Sequence, residues 1–142
     1  MLVSTKGRYA LRVMLDLAEH NTGEYIVLMD IAKRQEISEK YLEGILSVLS
    51  KNGFVSALRG RGGGYKLSRP PETYTVGSIL KLTESSLAPV ACLEGESNSC
   101  HRSAECKTLP LWTNLYKLID DYFEGITLSD LAGKTGADNY VI

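Results

Sequence analysis

The stretch Glu36-Ile-Ser-Glu-Lys-Tyr-Leu-Glu-Gly-Ile-Leu-Ser-Val-Leu-Ser-Lys-Asn-Gly53 carries both a helix start and a helix stop. Ser38 is placed to cap the first free amides, Ile37 and Leu42 to staple the start with an apolar contact, and Asn52-Gly53 to supply a left-handed exit. Between these signals Leu42, Ile45, Leu46 and Leu49 recur at helical spacing as one buried stripe, leaving Glu39, Lys40, Glu43 and Ser47 on the open face. Just upstream, Met29 to Arg34 reads as a short helix that buries Ile31 and Ala32. A short helix joined by a tight turn to a longer one is the helix-turn-helix arrangement, whose second helix reads DNA. A plain helical hairpin has the same periodicity, so the flanks decide between the two.

Downstream, Phe54-Val-Ser-Ala-Leu58 reads as a strand and Tyr65-Lys-Leu67 as its return partner, joined by Arg59-Gly-Arg-Gly-Gly-Gly64. Glycines let this tip turn tightly and approach a partner closely, while Arg59 and Arg61 are suited to a minor groove or to phosphates. A nucleotide-binding glycine loop is the rival reading. It fails because no helix follows the glycines and no Gly-Lys-Ser/Thr is present. Upstream, residues 5 to 20 form an amphipathic helix with Ala10, Leu11, Met14, Leu15, Leu17 and Ala18 inward and Lys6, Arg8, Arg12, Asp16 and Glu19 mostly outward. His20 closes it as a surface residue.

Past Arg69-Pro-Pro-Glu72 the winged unit ends, and Thr75 can cap a helix from Val76 to Glu84 with Val76, Ile79, Leu80 and Thr83 on one side. A longer helix begins near Thr108 and Pro110 and ends at Gly125. Its Leu111, Trp112, Leu115, Leu118, Ile119, Tyr122 and Phe123 cover more than one stripe, which calls for two packing partners. The natural second partner is the same helix of another subunit, since two-fold homodimers are common and dimeric DNA readers pair half-sites. Thr127-Leu-Ser-Asp130 resembles a capping box for a last short helix, and Gly133 onward reads as a loose tail. The expected fold is therefore mainly α with a small β-hairpin wing. Residues 1–70 form a winged helix-turn-helix DNA-binding domain, 71–90 a connecting helix, 91–107 a cysteine loop, and 108–142 a dimerisation helix and tail.

All three cysteines of the chain lie in Cys92-Leu-Glu-Gly-Glu-Ser-Asn-Ser-Cys100-His-Arg-Ser-Ala-Glu-Cys106. An odd thiol is always left over from intramolecular pairing, so the clustering favours ligation of a metal or cluster over stapling. The spacing is not the C-x-x-C of a zinc ribbon or a thioredoxin-type site, which disfavours structural zinc and dithiol catalysis. A thiol enzyme or a metal-handling protein is a weak rival, because only His20 and His101 could serve as imidazole bases and no C-x-x-C is present.

At 142 residues and 44% apolar content the chain fits one compact domain, or a small domain with an oligomerisation arm. No apolar run reaches the roughly eighteen residues of a membrane span, and the charged, amphipathic amino terminus is unlike a signal peptide. The expected compartment is the cytoplasm, without membrane association, where thiols persist as ligands or sensors. Net charge is −1, but the distribution is uneven: residues 1–70 hold 11 basic and 7 acidic side chains, and residues 71–142 hold 5 and 10. The basic half is the one to meet double-stranded DNA.

The motifs Ser4-Thr-Lys-Gly-Arg-Tyr-Ala10, Ile37-Ser-x-x-Tyr41-Leu-Glu43, Lys51-Asn-Gly-x-Val55 and Leu58-Arg-Gly-x-Gly-Gly-Gly-Tyr65, followed by three cysteines before Leu111-Trp112, resemble the winged-helix regulators of the Rrf-two family. Its branches include IscR-like, NsrR-like and CymR-like members; the amino terminus resembles the first and last, and CymR-like members lack the cysteine triad. The resemblance implies a homodimeric transcription factor on a palindromic operator, with a [2Fe-2S] cluster on Cys92, Cys100 and Cys106. It also implies that Ser38, Lys40 and Glu43 contact DNA from the recognition helix and that Arg59 enters the minor groove. A glutamate accepting from cytosine N4 costs affinity near phosphates unless that bond forms, so it rejects wrong bases.

One departure matters. The position where IscR-like members carry a histidine ligand is Leu109 here, and Arg8 stands where some NsrR-like sensors have an acidic ligand. His101 is a weak candidate beside Cys100, leaving Glu94, Glu96, Glu105 or an exogenous thiol as further fourth ligands. An open fourth site would let oxygen, nitric oxide or thiols reach the iron. A cluster-free repressor that senses thiols, nitric oxide or cysteine supply is the alternative reading.

Overall fold

A computed structural model describes residues 3–95 and 100–133; Glu96 and the tail from 134 on lie outside the described residues. In chain order the helices and strands are α1 Thr5–Glu19, α2 Leu28–Gln35, α3 Glu39–Lys51, β1 Val55–Leu58, β2 Gly64–Leu67, α4 Val76–Thr83, α5 Leu109–Glu124 and α6 Leu128–Leu131. The cap and the exit of α3 form as read. Ser38 accepts a hydrogen bond from the Tyr41 amide at 3.2 Å, and Gly53 takes a positive φ of 74° just past the helix. Leu42, Ile45, Leu46 and Leu49 are all at most 1% exposed. Burial on this scale stabilises by about 1.5–3 kcal/mol per side chain, which fixes the rotation of α3 and so which face is left open.

α2 extends one residue beyond expectation at each end and meets α3 through a tight turn in which Glu36 adopts φ 55°. Asp16, expected on the solvated face of α1, is instead buried. Arg34 of α2 donates to both of its oxygens at 2.9 and 2.7 Å, and the Gln35 side-chain amide donates at 2.9 Å. A buried carboxylate needs such partners. Periodicity counts aspartate as polar and cannot see a cation arriving from the next helix. His20 is exposed, with Nδ1 2.8 Å from the Asp16 carbonyl oxygen.

The wing is an antiparallel hairpin with Val55 opposite Leu67 and Leu58 opposite Gly64. A third rung joins it that the sequence reading did not foresee. Ile26 and Tyr65 exchange two backbone hydrogen bonds of 2.8 Å, tying the segment before α2 to the wing. Gly64 makes this possible: its φ is 148°, and a Cβ there would collide with the Ile26 carbonyl oxygen.

Tyr74 locks the exit of the wing. Its ring is fully buried, and its hydroxyl donates to the Phe54 carbonyl at 2.7 Å while accepting from the Ser68 and Arg69 amides at 3.1 Å each. One donor and two acceptor sites are all used. Tyr74→Phe keeps the ring and removes these three bonds, so we expect urea unfolding to show a loss of about 1–3 kcal/mol with an unchanged m-value. A loss under about 0.5 kcal/mol would show that water replaces the hydroxyl at little cost.

The core does not stop at the end of the wing. Tyr74, Ile79 of α4 and Leu128 of α6 belong to the same buried cluster as Met14 and Leu42. Thr75 caps α4 by accepting from the Ser78 amide at 2.9 Å, and its hydroxyl donates to the Glu124 carboxylate at 3.1 Å. Lys81 adds contacts to Asp120 at 2.7 Å and Glu124 at 3.5 Å. The chain then returns along Tyr74 to Val76: the Val76 amide donates to the Ile126 carbonyl at 2.8 Å, and the Leu128 amide to the Tyr74 carbonyl at 2.9 Å. The expected capping box at Thr127 and Asp130 is present at the start of α6. Thus the last turn of α5 is clamped to α4, but no residue of α5 is buried. Leu111, Leu115, Leu118 and Tyr122 lie on its exposed side, Leu118 at 66%.

Candidate nucleic-acid interface and cysteine loop

With its apolar stripe inward, α3 presents Glu39, Lys40, Glu43 and Ser47 to solvent, as the periodicity required. Two concave surfaces flank this ridge. On the wing side, a groove of about 490 Å³ is lined by Glu43, Ser47 and Lys51 of α3, Leu28 of α2, and Arg59, Gly60 and Gly63 of the wing. Glu43 and Arg59, predicted from different elements, thus face one space. Arg61 is exposed at the hairpin tip but does not line that groove. On the other side, a second cavity of about 490 Å³ is walled by Ser38, Lys40, Tyr41, Gly44 and Ile45, together with Lys6 from the first turn of α1. The sequence assigned no DNA-contacting role to Lys6, Tyr41 or Gly44. No local signal marks Lys6, because only the packing of α1 beside α3 brings it there.

The first turn of α1 is held in place from a distance. The Ser4 amide and hydroxyl both donate to Glu84 Oε1 at 2.8 Å, while Ser4 Oγ accepts from the Gly7 amide at 3.0 Å. Tyr41 is braced as well: its ring meets Tyr9 edge-on with centroids 5.7 Å apart, and the Arg12 guanidinium lies 4.9 Å from the Tyr9 centroid.

In the cysteine loop, Cys92 sits in a short 3₁₀ turn, Ala91–Leu93, and all three thiols are partly exposed with no disulfide among the described residues. Cys100 and Cys106 share a cavity of about 470 Å³ with Arg102, Glu105, Lys107 and Thr108; Cys92 and His101 are not among its walls. Cys106 lies just before α5, 3.4 Å from the Thr108 hydroxyl. That hydroxyl, then the Thr108 and Leu109 amides, pulls its thiol below the ordinary cysteine value, with partial desolvation opposing and Arg102 assisting. Leu109 opens α5 and Arg8 donates to the Thr5 hydroxyl at 3.2 Å, so neither offers a ligand. Among the described residues no three His, Cys, Asp or Glu side chains are gathered closely enough to hold a metal ion. The donor set still fits an iron-sulfur cluster in kind: three thiols in one loop, one of them biased toward thiolate.

The family model "Rrf2: Iron-dependent Transcriptional regulator" matches residues 3–134. The transcriptional regulator IscR of Pectobacterium atrosepticum is 40% identical over 131 residues, which cover 92% of this chain and 79% of that protein. Among solved structures, CymR, the global cysteine regulator of B. subtilis, superposes with a TM-score of 0.76 at 35% identity, covering 95% of this chain and 98% of that one. IscR of T. potens does so with a TM-score of 0.73 at 37% identity, covering 92% and 85%. The winged helix-turn-helix read from the sequence is the fold of these neighbours, which are regulators and not enzymes. The chain belongs to the Rrf2 family of helix-turn-helix transcriptional regulators and is similar in sequence and fold to IscR and CymR.

Proposed function

We propose that this regulator acts in the cytoplasm as a homodimer on a palindromic operator and reports iron-sulfur or redox status through a [2Fe-2S] cluster on Cys92, Cys100 and Cys106. The observation that carries the DNA-binding part is the single groove shared by Glu43 of α3 and Arg59 of the wing. With α3 in a major groove, Glu43 faces base edges and Arg59 reaches the adjoining minor groove. Ser38 and Lys40 stand at the amino-terminal end of the same helix, and Arg61 adds charge at the hairpin tip. Two copies joined along α5 would present two such units to two half-sites. Residues 1–70 are then the reading domain, 71–90 the connection, 91–107 the sensing loop and 108–142 the dimerisation segment. When bound, the cluster supplies redox and ligand-exchange chemistry; the chain's own part is to hold it by thiolates and to leave its fourth position weakly defended.

A second reading is supported by the cavity that gathers Cys100 and Cys106 without Cys92, and by the lowered Cys106 thiol. In it the loop senses thiols or oxidants directly, with no cluster. Iron content after anaerobic purification separates the two.

For the DNA-binding part, we expect Arg59→Ala to weaken operator binding by about 1–3 kcal/mol at matched salt while leaving the oligomeric state unchanged. Glu43→Ala should instead relax sequence preference, tightening binding to unrelated duplexes by removing a negative charge near phosphates. Fluorescence anisotropy on a duplex footprinted from the regulator's own promoter reads both. Unchanged affinity in Arg59→Ala would sink the wing assignment.

A further inference from the structure

Gly44 stands in the middle of α3, where glycine is less favourable than alanine. Nothing among the described residues packs against it closely enough to explain it. Among the described residues, a Cβ built at position 44 meets no atom within 4 Å beyond its own helix backbone, so no packing neighbour excludes a side chain. The open space is the cavity between α1 and α3, whose walls combine apolar surface, Ile45 among it, with polar groups. Lys6 and Lys40 bring two ammonium groups, Ser38 and Tyr41 bring hydroxyls, and no carboxylate lines it. The Ser38 oxygen already accepts from the Tyr41 amide, so its own O–H remains to donate outward.

We propose that this cavity seats the sugar-phosphate backbone of one DNA strand, and that Gly44 is there to admit it. The inference rests on the reading of α3 as the helix that enters the major groove. A helix of about 10–12 Å diameter nearly fills a groove about 12 Å wide, so its two flanks face the two strands. The wing-side groove, with Glu43 and Arg59, lies toward one strand; the Lys6 cavity lies toward the other. Lys6 and Lys40 neutralise the phosphate, the Ser38 hydroxyl donates to it, and the Tyr41 ring, braced by Tyr9, packs against the sugar. A methyl group at position 44 occupies the space the backbone needs. Glu84, by pinning Ser4, is a positioning residue for Lys6.

The test uses the full-length protein and a duplex selected from a random pool by the wild type, with affinity followed across salt concentrations. Lys6→Gln should weaken binding about five- to tenfold, equally on selected and unrelated duplexes, and should flatten the slope of log K against log[salt] by about 0.9. Gly44→Ala should raise the melting temperature by a few degrees, as helix propensity requires, yet weaken the selected duplex about tenfold or more. Wild-type affinity and salt slope in both variants, with Arg59→Ala still impaired, would overturn the phosphate seat and leave the DNA-binding reading intact. Failure of the wild type to select or bind any duplex would overturn both.

Discussion

A Leu118→Glu chain should leave the size-exclusion column as a monomer or an aggregate, at concentrations where the wild type should scatter light as a dimer. Leu111, Leu115, Leu118 and Tyr122 alternate at four- and three-residue steps along one exposed side of α5. Burying each against a second copy removes apolar surface worth about 1.5–3 kcal/mol per side chain, before the entropy of association is subtracted. Glutamate at position 118 forfeits the Leu118 contact twice, once per subunit, and brings two like charges into an apolar seam. A weakening of dimerisation by at least about a thousandfold, roughly 4 kcal/mol, is expected. Trp112, Tyr116 and Phe123 lie on the half-covered side of α5 and are untouched by the change, so circular dichroism should report an intact fold. A clean dimer at micromolar concentration with unchanged melting would show that the exposed stripe lies outside the interface.

The second large effect falls on the cysteines. Anaerobically purified wild type should carry iron and sulfide with visible charge-transfer absorption. Cys92→Ala, Cys100→Ala and Cys106→Ala should each lose nearly all of it, since removing one of three thiolates leaves too few ligands to retain a cluster. His101→Ala should keep its absorption, because His101 is exposed and outside the cavity that Cys100 and Cys106 share. Mössbauer spectra of the reconstituted protein identify the cluster type. Iron-free wild type, or equal iron in Cys100→Ala, would remove the cluster and leave the direct thiol sensor.

The parts of this protein legible in its sequence are those fixed by local chemistry. Ser38, Thr75 and Thr127 announce three helix starts because a capping hydroxyl acts within three residues of itself. Leu42 to Leu49 announce the face of α3 because a helix has one period. The excess apolar surface of α5 was legible for the same reason. What escaped was set by packing between distant segments: the Ile26 and Tyr65 rung, the burial of Asp16 under Arg34, and Lys6 beside Lys40. Each depends on which surfaces meet, and no window of neighbouring residues encodes that. The candidate site divides in the same way. Glu43 and Arg59 were visible separately, but that they border one groove follows only from how the wing folds back on α3.

The clamp at the end of α5 has a metrical consequence. Thr75 and Lys81 hold Glu124 and Asp120, and two backbone bonds lash Tyr74 and Val76 to the chain just beyond the helix. Each reading unit is therefore fastened to one end of a helix about 24 Å long without an intervening flexible joint. Pair two such helices and the distance and rotation between their reading units are set by the protein, not by the DNA. Adding one base pair between half-sites displaces one of them by about 3.4 Å and turns it by about 35°. A rigid calliper cannot follow that turn, so the operator's spacer length should be as strictly specified as its bases.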